Sequence, residues 1–328
     1  MESMQNVMAT VQQTKRQHER ELIRKPNAVA VGVGYKISGS VQTDEPSVIV
    51  SVKQKMPLAQ LAASDVVPKT IGGVKTDVIE TGEIVAFQNP REKMRPARPG
   101  VSIGHHLITA GTLGCLVRKG GETLILSNNH VLANSNNAQI GDAIWQPGRA
   151  DGGSSADQIG TLAQFVPIAF DGTPQPPGGC LAQLLALLGI RLRQPQQNEP
   201  GNNKVDCALA RPTTPDLVNP DILNIGVPTG AGTATLGTAV QKSGRTTGHT
   251  TGSIQQIDVT VTVNYGGPLA TFTSQLMAGA ISQGGDSGSA VLNTNKQVVG
   301  LLFAGSATTT IINPIQFVLD MLGVTLVT

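Results

Sequence analysis

Gly284-Gly285-Asp286-Ser287-Gly288-Ser289, running straight into the apolar Ala290-Val291-Leu292, is the stretch on which the reading of this chain turns. A serine hydroxyl is a poor nucleophile until a base removes its proton. It also needs backbone N–H groups aimed at the oxyanion that forms when it attacks. Glycines on both sides of Ser287 permit the tight backbone that brings such donors together. The N–H groups of Gly285 and Ser287 are the candidates. The motif alone also occurs in ordinary turns, so the rest of the chain must supply a base and an acid.

Two upstream segments offer them. The apolar Leu124-Ile125-Leu126 runs through the polar Ser127-Asn128-Asn129 into His130. Alone, such a histidine reads as a packing or surface residue. Further on, Val205-Asp206-Cys207-Ala208-Leu209-Ala210 places an acid inside an apolar run. Burial there is costly unless the carboxylate has a partner, and a histidine N–H is one. The chain order His, Asp, Ser is that of the chymotrypsin-type triad. The subtilisin and α/β-hydrolase orders differ.

These segments resemble the trypsin-like serine peptidases, the bacterial α-lytic branch in particular. The matching stretches are SNNHVL at 127–132, VDCALA at 205–210, KSGRTTGHTTGSI at 242–254, GGDSGSAVL at 284–292 and VVGLLFAGS at 298–306. The likeness runs over about 101–320. A small N-terminal module followed by RPGVSIG, LSNNHVLANSN, QPG and GDSGS is also similar to a group of bacterial trypsin-like proteins and to narrow-leaf-type plant proteases. The resemblance implies a mainly β, chymotrypsin-like pair of antiparallel β-barrels over 101–328. It implies His130, Asp206 and Ser287 as the triad, with Gly285 and Ser287 as oxyanion-hole donors. It further implies an ion pair between Arg245 and Asp286, so that the site forms without a freshly cut N-terminal amine. The specificity pocket falls on Ile281, Ser282, Gln283, Gly284, Phe303, Ala304 and Gly305. The position six before the nucleophile is Ile281, where relatives specific for basic residues carry an acid. A small or apolar substrate side chain is therefore expected. His249 is a further pocket candidate, and it would favour an acidic side chain instead.

Composition bounds the other classes. The formal net charge is +2, without the basic excess of a dedicated nucleic-acid binder. Thirty-eight glycines suit many short strands and turns rather than a helical bundle. No apolar run approaches the ~18 residues of a membrane span, and the N-terminus lacks a signal-peptide core. Cys115, Cys180 and Cys207 are odd in number and lack metal-ligand spacing. A disulfide framework is not expected, and a cytoplasmic location is. The adjacent His105 and His106 would point to opposite faces of a strand, which makes them poor partners for one metal.

Ahead of the protease-like region, residues 5–25 read as a charged helix that docks on a neighbour or joins copies of the chain. Ala28–Ile37, Ser47–Lys53 and Gly73–Thr81 read as strands, with a short helix over Pro57–Ala63. Domain limits are thus a helix at 1–26, an α/β module at 27–87, an exposed Pro- and Arg-rich linker at 88–100, and a protease-like domain at 101–328. That domain carries an insertion at 171–204 around the apolar LAQLLALLGIRL. The function expected is that of a serine endopeptidase working through an acyl-enzyme on a protein or peptide. It would need no metal or organic cofactor, and it would be restrained by narrow specificity or by the N-terminal module. A non-cleaving protease-fold scaffold is the rival from another class, and an esterase is a third reading.

Overall fold

The computed structural model describes residues 4–39, 41–84, 89–172 and 198–328. Cys180 and most of the insertion expected at 171–204 lie outside them. The chain divides into two compact units, Met1–Gln88 and Asn89–Thr328.

In the first unit, helix α1 (Met4–Leu22) precedes strands β1 (Ala28–Ser38), β2 (Val41–Val52), β3 (Thr70–Ile71) and β4 (Val74–Glu80), arranged β1-β2-β4-β3. Val48, Val50 and Val52 alternate onto one face of β2. Val11 and Leu22, three helical turns apart on α1, pack with them and with Val74. The helix expected over 57–63 is only a 3₁₀ turn, Leu58–Gln60, with no buried side chain. Its segment is too short to hold a turn of helix without an apolar partner, and α1 is the element that packs with the sheet.

The second unit is built on two curled sheets. The first contains β5 (Ser102–His105), β6 (Gly111–Thr112), β7 (Cys115–Lys119), β8 (Glu122–Ser127), β9 (Ala143–Trp145), β10 (Gln158–Phe165) and β11 (Ala208–Pro212). The second contains β12 (Gly230–Ala231), β13 (Ala239–Gly244), β14 (Gly248–Asn264), β15 (Leu269–Gly279), β16 (Ala290–Asn293), β17 (Gln297–Gly305) and β18 (Thr309–Pro314). The C-terminal strand β19 (Thr325–Leu326) returns to pair with β7 of the first sheet. The orders are β19-β7-β8-β11-β10-β9-β5-β6 and β12-β17-β16-β13-β14-β15-β18, and pairing of β17 with β18 closes the second sheet into a barrel. Closure brings Gly300 so near β18 that a Cβ there would meet Ile312 Cγ2 at 2.3 Å. This is a chymotrypsin-like fold.

Each sheet wraps its own core, around Ile103, Ile125 and Leu162 in the first and Val240, Ile254 and Ile312 in the second. A third core joins them. Leu126, Cys207 and Leu209 of the first sheet meet Leu292 and Leu301 of the second. Val318 and Leu322 of helix α3 (Ile315–Leu322) fill the same layer. A one-turn helix, α2 (Asn129–Leu132), follows β8. The segment read as an exposed linker is tied into this unit from residue 89 onward. Ala97 is fully buried, its N–H donates to the Leu217 carbonyl at 2.7 Å, and Arg95 hydrogen-bonds the side chain of Gln146.

Candidate active site

The loop-to-helix step after β8 sets His130. The Asn128 amide donates to the Asp206 carbonyl at 2.7 Å, which fastens the start of α2 to the chain two residues before β11. Behind α2, the Asn129 amide donates to Val166 O at 2.8 Å and to Asn136 Oδ1 at 2.8 Å. The intervening turn carries three successive left-handed residues, Asn134, Ser135 and Asn136, with φ of 48°, 51° and 74°. Side-chain-to-backbone bonding of this kind is what stabilises such a turn.

Asp206 is fully buried. Its Oδ2 lies 2.6 Å from His130 Nδ1, and its Oδ1 accepts from the His130 backbone N–H at 3.3 Å. With an ionised carboxylate on that side, Nδ1 carries the proton and Nε2 is left as a base facing the cleft. The Asp206 N–H is in turn held by Asn313 Oδ1 at 3.0 Å.

Ser287 lines the same cleft as His130. Its hydroxyl has one long contact, to Phe303 O at 3.4 Å, so it is essentially uncommitted. The backbone around it is fixed tightly. Thr112 N–H donates to Ser287 O at 2.8 Å, and Thr112 Oγ1 donates to Gly285 O at 2.9 Å. Gly285 has φ of +96°, and a Cβ there would lie 2.5 Å from Thr246 Oγ1. Only glycine fits. Among the described residues, neither the Gly285 N–H nor the Ser287 N–H has an acceptor. Two free donors beside an uncommitted hydroxyl are the arrangement an oxyanion hole requires.

The sequence expectation for Asp286 is corrected here. Its partner is Lys242, not Arg245. The Lys242 ammonium lies 3.4 Å from Asp286 Oδ2, and both side chains are wholly buried. The same ammonium donates to Gly248 O at 2.9 Å and to the Thr247 hydroxyl. Asp286 also accepts from the N–H groups of Thr246, Thr247 and Gln283 at 2.8, 3.1 and 2.9 Å. Arg245 instead forms a bidentate pair with Asp151, at 2.7 Å through Nε and 2.6 Å through Nη2. The planar guanidinium fork matches that carboxylate. The closed space beside Asp286 takes the more compact ammonium. Burial pushes the Asp151 carboxyl up, but the bonds from Arg245 and Ser102 outweigh it and hold it below the usual range.

The pocket positions Ile281, Ser282, Gln283, Gly284, Phe303, Ala304 and Gly305 all line the cleft. Ile281 and Phe303 are buried, and Phe303 packs on Phe272 with ring centroids 4.7 Å apart. Ser282 Oγ is engaged with Thr310 Oγ1 at 2.8 Å. His249 does not join them. It is exposed and bonds Gln241 Oε1 at 3.0 Å, while its neighbour Thr250 reaches Ile281 O. Successive residues of β14 point to opposite faces, so Thr250 in the cleft puts His249 outside it.

Two residues missed in the sequence complete the site. One is Lys242. It shares the inward face of β13 with the buried Val240, and a lysine on an apolar face is a detectable flag. The other is Tyr265, whose hydroxyl donates to Asp206 Oδ2 at 2.8 Å. Only its rarity, as one of two tyrosines, and its place before Gly266-Gly267-Pro268 mark it in the sequence. Elsewhere, His105 is buried against Asp142 at 3.1 Å. Cys115 and Cys207 are buried thiols without a disulfide, and burial pushes Cys115 up to about 12.

Residues 190–321 match the Trypsin family. No curated protein matches the chain. Among solved structures, Thermobifida fusca protease A is 24% identical, covering 71% of this chain and 100% of its own, with a TM-score of 0.48. The Nocardiopsis protease is 19% identical over 71% of this chain and 100% of its own, at 0.48. The Cellulomonas bogoriensis chymotrypsin is 20% identical over 70% and 98%, at 0.45. Over residues 190–321 the chain thus carries a Trypsin-family domain, on a chymotrypsin-like fold.

Proposed function

We propose that this protein is a serine endopeptidase in which Ser287 is the nucleophile, His130 the general base and Asp206 the acid that orients it. One observation carries this reading. The base held by Asp206 faces the same cleft as Ser287 and its two unengaged backbone donors. In the reaction, Ser287 Oγ attacks the peptide carbonyl carbon as its proton passes to His130 Nε2. The carbonyl oxygen becomes an oxyanion between the Gly285 and Ser287 N–H groups. The imidazolium then gives its proton to the leaving amine, and an acyl-enzyme remains. Water repeats the cycle and releases the acid. The cleft, of about 1030 Å³, has room for an extended peptide.

Labelling of the full chain with a fluorophosphonate, located by mass spectrometry, tests this. A modification on Ser287 that disappears in Ser287→Ala supports it. No labelling of folded wild-type protein would overturn it.

The pocket makes a second expectation. Its buried base is Ile281 and Phe303, with no charged side chain among its lining residues. A cationic or anionic substrate side chain would be desolvated there without a partner. Small and apolar side chains on the acyl side of the cleaved bond are expected to be preferred over Lys, Arg or Glu by at least about tenfold in kcat/KM. Cleavage of a peptide library after Lys, Arg or Glu would reject this pocket assignment. The restricted activity that the sequence suggests then follows from the pocket's own shape and lack of charge.

A further inference from the structure

We propose that Tyr265 is a positioning residue for the triad: its hydroxyl, at the tip of the β14–β15 hairpin, fixes the Asp206 carboxylate that orients His130. The inference rests on the endopeptidase reading above. The geometry is specific. Asp206 Oδ2 accepts from two donors at once, His130 Nδ1 at 2.6 Å and Tyr265 Oη at 2.8 Å. Asp206 belongs to the first sheet's edge of the cleft, whereas Tyr265 comes from the second. The bond therefore ties the acid to the opposite wall.

Tyr265 is built to hold this position. Its own N–H donates to Pro268 O at 2.9 Å, and Asn264 Oδ1 caps the turn by accepting from Gly266 and Gly267 at 2.9 and 2.7 Å. The ring stands edge-on to His130 at 5.9 Å and edge-on to Phe170 at 5.7 Å, with Phe272 at 6.4 Å. Burial, then the nearby Asp206 charge, pushes the phenol well above its ordinary range, so it stays a donor. Of the other titratable groups near by in sequence, Cys207 packs into the core and the Lys204 ammonium bonds Thr273 at 2.7 Å. Neither competes for Oδ2.

Two consequences separate this role from simple packing. A carboxylate anchored by one donor fewer can rotate, and the imidazole loses its alignment. An oxygen relieved of one donor also attracts the remaining proton more strongly. Tyr265→Phe keeps the ring and removes only the hydroxyl. It is expected to lower kcat by about tenfold with KM unchanged, the scale of one hydrogen bond to a charged group. The acid limb of its kcat/KM profile is expected to move to higher pH, because the unshared carboxylate stabilises the protonated imidazole. The proton between His130 and Asp206 is expected to resonate further downfield in the Tyr265→Phe protein, read in the Ser287→Ala background so that turnover is not needed. A wild type that turns over, beside a Tyr265→Phe with unchanged kcat, pH profile and proton resonance, would overturn the proposal. A shifted resonance in a protein whose wild type has no activity would uphold the positioning role and reject the endopeptidase reading instead.

Discussion

Asp206→Asn is expected to lower kcat/KM by about ten-thousandfold while leaving the protein folded. The carboxylate accepts from His130 Nδ1 at 2.6 Å, and this forces the proton onto Nδ1. An asparagine amide can present its NH₂ group there. Nδ1 would then become the acceptor and the proton would move to Nε2, the nitrogen proposed to take the Ser287 proton. A protonated Nε2 cannot take the serine proton, so the defect lies in tautomer rather than in shape. The Tyr265 hydroxyl and the His130 backbone N–H still need acceptors, and the asparagine carbonyl oxygen can serve only in part. Kinetics and thermal unfolding on the same preparation check the expectation. A fall of less than about tenfold with an unchanged melting temperature would mean that His130 does not depend on Asp206 for its tautomer.

The three candidate triad residues were legible because chemistry forces rare patterns on the chain. A glycine-flanked serine, a histidine at the end of an apolar strand and an acid inside an apolar run each violate the local pattern around them. The abundance of glycine pointed to many short strands and turns, whereas their curling into two barrels came from the family resemblance alone. What the sequence hid was pairing across space. Arg245 and Lys242 stand three residues apart on one strand and turn, and either charge suits Asp286 in principle. The choice depends on Asp151, more than ninety residues away in the chain, which captures the guanidinium. Tyr265 was hidden for the same reason, since its partner is 59 residues upstream. In the first unit, Val11 and Leu22 show as an apolar pair on α1 only once the fold packs both against Val48, Val50 and Val74. The misplaced His249 is different. Strand alternation excludes it once Thr250 is known to face the cleft, and only the register of β14 supplies that fact.

Lys242→Met is the second large effect, and it separates the making of the site from its chemistry. Both members of the Lys242–Asp286 pair are removed from water. Taking away one partner leaves Asp286 charged and buried, a change that costs about 3–5 kcal/mol. Turning toward solvent would relieve that charge. Asp286 lies between Gly285 and Ser287, the two residues whose N–H groups form the proposed oxyanion hole. Rotation of that one residue would dismantle both donors, and loss of such donors lowers kcat by about a hundredfold or more. Adding Asp286→Asn to Lys242→Met removes the stranded charge, so it is expected to restore part of the stability. It is not expected to restore activity, because Gln283 N–H and the Thr247 hydroxyl lose the acceptor they share. The pair also gives a pH signature. Burial, opposed by Asp286, sets the Lys242 ammonium below the ordinary lysine value of 10.5. Between the folded and unfolded values the unfolded chain holds the extra proton, so this group's contribution to stability rises with pH. Fluorophosphonate labelling that declines on the alkaline side, while denaturant unfolding shows no matching loss, is therefore the expected result for the wild type. Because the cation is internal, the full chain is expected to label without any cut at its N-terminus. Wild-type labelling and stability in Lys242→Met would show that Asp286 holds the loop through its backbone bonds alone.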